Sequence, residues 1–143
     1  MIVVSSCLVG KKCRYNGGHS LNQALLDSLG EEYIDLCPEI LGGLETPRNP
    51  CEIIGGEGKD VLKGTARIVD CNGADVTDKM VLGAERALEI CKVHKVTKAY
   101  LKQGSPSCGF GWIYDGSFSS VARKGNGVFA ELLVRSGVEV VEV

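Results

Sequence analysis

The run Ile2-Val3-Val4-Ser5 most constrains how this chain can fold. It is short, apolar and β-branched, has no polar alternation, and stops at Cys7 and then Gly10. Such a run suits a strand buried on both faces, as in a parallel sheet. Tyr33-Ile34-Asp35-Leu36 and Ala99-Tyr100-Leu101 read the same way, and helical spacings lie between the runs. Strands alternating with helices predict a mostly parallel sheet covered on both faces. Each of these strands leads into a thiol. The first meets Cys7, the second Cys37-Pro38-Glu39, and the third Ser105-Pro106-Ser107-Cys108-Gly109. Chemistry in open α/β sheets sits just beyond the carboxyl ends of the strands, so three cysteines are expected at one sheet edge.

The rest of the chain fits the same plan. Ser20 is the expected N-cap of a helix over residues 21–29, with Leu21, Ala24, Leu25 and Leu29 on one side and Gly30 as its stop. Pro38, Gly42, Gly43, Pro47 and Pro50 predict a long irregular loop of functional character. Cys51 to Ile54 and Ala66 to Asp70 form an expected antiparallel excursion. Residues 75–77 cap a helix ending near Lys95, whose apolar stripe is Met80, Ala84, Ala87, Leu88 and Cys91. A strand over 98–102 follows, then a glycine-rich stretch over 103–127 with Trp112 and Tyr114. A helix from Val128 to Arg135 and a strand from Val138 to Val143 complete the chain. The expected fold is one α/β domain over residues 1–143: a three-layer, Rossmann-like arrangement with a mostly parallel sheet and a small antiparallel excursion.

Composition narrows the function. A net charge of −2 with no basic stripe gives no nucleic-acid footprint. No apolar run reaches the length of a membrane span, and the amino terminus lacks the features of a secretory leader. A cytoplasmic location is therefore expected. Seven cysteines in 143 residues, in a reducing compartment, point to metal or catalysis rather than disulfides. Cys91, on its helical stripe, and Cys71, in a turn, are assigned no chemistry. His94 is expected on a solvated helix face and His19 at the start of a helix.

Three constellations could carry a reaction. Cys7 through Arg14 has a thiol, backbone amides and an arginine, an arrangement that could cradle a phosphate. It looks like the phosphate loop of the low-molecular-weight tyrosine phosphatases, but six residues separate Cys7 from Arg14 where that family has five, and no Asp-Pro acid follows. A metal-free phosphatase-like enzyme using Cys7 is one alternative. The chain has no cysteine pairs at zinc-ribbon spacing. Three thiolates from separate strand ends, with no fourth partner, suit an iron–sulfur cluster with one open iron. Such a cluster could serve a binding protein without turnover or an enzyme. The third constellation, Ser105 to Gly109, projects two hydroxyls and a thiol from one turn that Pro106 fixes.

Taken together, Ser6-Cys7-Leu8-Val9-Gly10, Cys13 to Gly17, Cys37-Pro38-Glu39, Gly42-Gly43-Leu44, Thr46-Pro47-Arg48, Gly73 to Thr77, Ser105 to Gly109, Tyr114-Asp115-Gly116 and Gly125-Asn126-Gly127 resemble, in this order, the bacterial and archaeal family that includes the thiouracil desulfidases. The resemblance spans nearly the whole chain. It implies a [4Fe-4S] cluster held by Cys7, Cys37 and Cys108, whose fourth iron binds the sulfur of a thiolated pyrimidine. Water then replaces that sulfur with no net redox change. The implied partner is a small thiolated base or nucleoside. Glu39, two residues past a ligand, is the expected general base, with Glu45 and Glu52 as alternatives. Ser105 is expected to orient substrate or relay a proton, and Ser107 and Arg14 to bind substrate. Arg48 is expected to be structural or anion-orienting. No role carries over to Cys51, and that of Cys13 is open.

Overall fold

The computed structural model describes all residues, 1–143. In chain order the elements are β1 (Ile2–Ser5), a 3-10 turn (Ser6–Val9), α1 (Gln23–Leu29), β2 (Tyr33–Leu36), α2 (Pro38–Leu41), β3 (Cys51–Ile54), α3 (Gly58–Lys63) and β4 (Arg67–Asp70). Then come α4 (Thr77–Val93), β5 (Lys98–Leu101), β6 (Trp112–Tyr114), β7 (Ala122–Lys124), α5 (Val128–Arg135) and β8 (Glu139–Glu142).

The central sheet runs β2-β1-β5-β8 with every pair parallel. Its alternation sorts the core into two layers. Val3, Ala99 and Leu101 pack with Met80, Ala84, Ala87, Phe129 and Leu133 of α4 and α5, whereas Val4 packs with Leu8, and with Leu25 and Leu29 of α1. Helices thus cover both faces, as the strand–helix alternation predicts. β3 and β4 form the expected antiparallel excursion. No helix is long and apolar enough to cross a membrane.

Four local expectations need correction. α1 starts at Gln23 and its cap is Asn22, whose side chain accepts from the Leu25 amide at 3.0 Å; the Ser20 amide instead donates to Cys7 O. The loop after β2 opens with a helical turn, because Pro38 sits at a first helical position, where its missing N–H is no loss. Residues between β3 and β4 form α3, which opens with a capping box between Glu57 and Asp60. The glycine-rich stretch contains the β6–β7 hairpin.

Candidate active site

Each of three strand ends presents one thiol. Cys7 lies in the 3-10 turn after β1, which Gly10 closes at φ 95°, a left-handed conformation natural to glycine. Ser6 Oγ donates to Asp35 Oδ2 at 2.6 Å, and Lys11 Nζ pairs with the same oxygen at 2.7 Å. These contacts tie the turn to β2 on either side of Cys7. Burial alone would raise the Asp35 carboxyl, but the hydrogen bonds from Lys11 and Ser6 hold it below its ordinary value.

Cys37 is the N-cap of α2. That short helix lies tight against α4: a Cβ on Gly42 would strike the Lys79 carbonyl, and one on Gly83 would strike the Pro38 carbonyl. Glu39 Oε2 accepts from Cys37 Sγ at 3.2 Å and lies 3.9 Å from Arg48 Nη2. Glu39 Oε1 is buried with no hydrogen-bond partner.

Cys108 stands on a capped turn. Ser105 Oγ accepts from the Ser107 and Cys108 amides, both at 3.0 Å. Those bonds engage its lone pairs and leave its O–H as a donor. The carbonyls of Pro106 and Ser107 accept from the amides of Val128, Phe129 and Ala130. The turn therefore satisfies the open amides at the start of α5 and is fixed by them.

Cys7, Cys37 and Cys108 line one cavity of about 470 Å³, together with Cys13, Arg14, Glu39 and Ser105. The four cysteines among them are free thiols. The Cys37 thiol is pushed far up by its hydrogen bond with Cys13, by burial and by the Glu39 charge. Cys13 is pulled down by Cys37, but Cys7 and burial outweigh this and bring it up to about 11. Burial, then the Glu39 charge, raises Cys108 well above the ordinary thiol range. So many thiols beside a carboxylate cannot ionise together unless a cationic group stands among them. No three Cys, His, Asp or Glu side chains gather tightly enough for a single metal ion. Thiols set around a cavity fit a polynuclear iron–sulfur group, in which each iron takes its own thiolate.

The other sequence candidates separate clearly. Arg14 lines the cavity with its guanidinium carbon 5.6 Å from the Tyr15 ring centre. Ser107 does not line it; it is 1% exposed, lying beneath α5 whose first amides its carbonyl accepts. The side chain expected to bind substrate therefore lies off the cavity lining. Glu52 lines the cavity, but its Oε1 already accepts two backbone N–H groups, from Gly116 and Phe118. Glu45 is not a cavity residue. Cys91 is buried in the core, raised to about 11 by burial alone. Cys71 is exposed at the cavity rim rather than remote from it. His19 is exposed ahead of α1 and His94 at the end of α4.

The phosphate-loop alternative fails on geometry. The amides of Gly10, Lys11, Cys13 and Arg14 donate to the carbonyls of Cys7, Ser6, Lys11 and Gly18, so they are not free to surround an anion at Cys7. Sequence reasoning missed the aromatic wall of the cavity, Tyr114 and Phe118. They arrive on a hairpin whose glycine-rich sequence carries little alternation.

Known proteins resemble this chain in sequence and in fold. The chain is 48% identical over 142 residues to the uncharacterised protein YbbK of Bacillus subtilis (strain 168), covering 99% of this chain and 94% of that one. The solved structure of a [4Fe-4S]-dependent thiouracil desulfidase, TudS, matches with a TM-score of 0.85 at 41% identity, over 99% of this chain and 89% of the other. The family model for 2-thiouracil desulfurase matches residues 2–143, strand ends and hairpins included. With its sequence and its fold matched over nearly the whole length, the chain belongs to the 2-thiouracil desulfurase family.

Proposed function

We propose that this protein is a [4Fe-4S]-dependent desulfidase that exchanges the sulfur of a thiolated pyrimidine for the oxygen of water. The observation that carries the reading is the buried, unpartnered Oε1 of Glu39 beside strand-end thiols on one cavity. Cys7, Cys37 and Cys108 would hold the cluster as thiolates. When bound, the cluster supplies a Lewis-acidic iron with affinity for the thiocarbonyl sulfur.

The chain supplies the rest. Glu39 takes a proton from the attacking water at Oε1, while Arg48 lies near the other oxygen. Ser105 keeps its O–H as donor toward the substrate because two amides hold its lone pairs. Arg14 lies on the cavity wall and orients the polar edge of the base. In the net change a thiocarbonyl and water give a carbonyl and hydrogen sulfide, with no electrons gained or lost.

The test is anaerobic incubation of the iron-loaded protein with 2-thiouracil and no added reductant. Uracil and sulfide should form in equal amounts. A full complement of iron with no product would make the protein a cluster carrier and overturn the proposal.

A further inference from the structure

The loop 115–121 joins β6 to β7 and contributes Phe118 and Ser120 to the lining of the cavity that holds the thiols. It is not a loose turn. Glu52, on β3, accepts from the Gly116 amide at 3.0 Å and the Phe118 amide at 3.2 Å. Gly116, at φ 92°, lies so close to β3 that a Cβ would come within 2.6 Å of the Ile53 carbonyl. Phe118 and Ser120 hold φ of 57° and 59°, a region uncommon for residues with a side chain. Such a backbone persists only where its surroundings hold it.

These ties keep the Phe118 ring half-buried on the cavity wall, whereas Phe129 is fully packed in the core. Tyr114 lines the same cavity, its ring edge-on to Trp112 at 5.4 Å. The cavity lining therefore combines aromatic rings with thiols, Glu39 and Ser105. A planar heteroaromatic ring has matching parts: apolar faces and a polar, sulfur-bearing edge.

We propose that Phe118 is a specificity-determining residue that stacks on the face of the substrate ring, and that Glu52 is the positioning residue that holds it there. The proposal rests on the desulfidase reading and adds to it how the ring is recognised. It also explains why Glu52 is engaged with backbone rather than free to act as a base.

The test uses the anaerobic iron-loaded protein and measures uracil affinity by equilibrium dialysis alongside KM and kcat for 2-thiouracil. Phe118→Ala should weaken uracil binding and raise KM by about tenfold or more, the size of a lost base–aromatic stack. Its kcat and iron content should stay near those of the unaltered protein. Phe118→Tyr should restore binding. Glu52→Ala should reproduce the loss, and Glu52→Gln should rescue it by keeping an acceptor oxygen. Unchanged uracil affinity in Phe118→Ala or Glu52→Ala, or no uracil binding by the unaltered protein, overturns the proposal. Uracil binding that depends on Phe118, without turnover of 2-thiouracil, overturns the desulfidase reading and leaves the stacking role standing.

Discussion

The lining of the cavity is of two kinds of construction. On one side, Cys7, Cys37 and Cys108 stand on turns that follow the parallel strands β1, β2 and β5. Each turn is tied down more than once: the first by Asp35, the second by the contact of α2 with α4, the third by the start of α5. On the other side, Glu52 and Phe118 come from antiparallel ribbons, and β7 is exposed along its whole length. Chemistry that needs atoms fixed to a fraction of an ångström belongs on the first kind of lining. Recognition of a ring face tolerates the second, where loops can change without disturbing the core.

The sharpest way to break this division is at Glu39. Glu39→Gln keeps shape but accepts no proton usefully, and loss of a positioned base costs about 10²- to 10⁴-fold in rate. Iron content and visible absorption should stay unchanged, in contrast to the KM effect expected on the ribbon side. Parallel iron and rate assays on one preparation check this. Loss of iron together with rate would instead make Glu39 a support for the ligand Cys37.

A smaller effect is expected at Gly83. Alanine normally favours a helix interior over glycine by about 1 kcal/mol. Here its Cβ would meet the Pro38 carbonyl, and forced overpacking costs roughly 1–3 kcal/mol. The clash is with backbone, so it should win. Gly83→Ala should lower stability in urea denaturation and disturb Cys37 and Glu39. A gain in stability would show that α2 can shift without consequence.

The smallest effect concerns Asp35→Asn. Asp35 is held below its ordinary value in the fold, so its contribution is complete above the ordinary carboxylate range and is lost as pH falls through the folded value. Lys11 is largely exposed, which limits the ion pair to about 1 kcal/mol or less. The variant should be slightly less stable than the parent at pH 7 and equal to it in strong acid. Equal stability at both pH values would mean that the Cys7 turn does not rely on this tie.

The same two kinds of lining differ in how much the sequence reveals. β1 and α5 are legible because burial leaves a strong apolar pattern, and the half-buried β2 and alternately buried β5 keep enough of it in Ile34, Leu36, Ala99 and Leu101. The three thiols become legible with them, since a strand end fixes where its next residues emerge. α2 escapes notice because Pro38 reads as a breaker when it is a helix starter, and α3 because six residues show too little periodicity. The β6–β7 hairpin hides among glycines. Contacts such as Glu39 with Arg48, or Glu52 with Phe118, join residues that no spacing rule connects. Ser107, beside Cys108 in sequence, illustrates the opposite error: adjacency in the chain does not bring a side chain to the cavity.

We propose that Cys7, Cys37 and Cys108, and not Cys71 or Cys91, hold the cluster that the reaction needs. Iron and acid-labile sulfide per chain, measured after anaerobic reconstitution of single variants, tests it most directly. Cys7→Ser, Cys37→Ser and Cys108→Ser should each lose most of the iron, whereas Cys71→Ala and Cys91→Ala should retain it. Equal iron in all five variants would contradict the account.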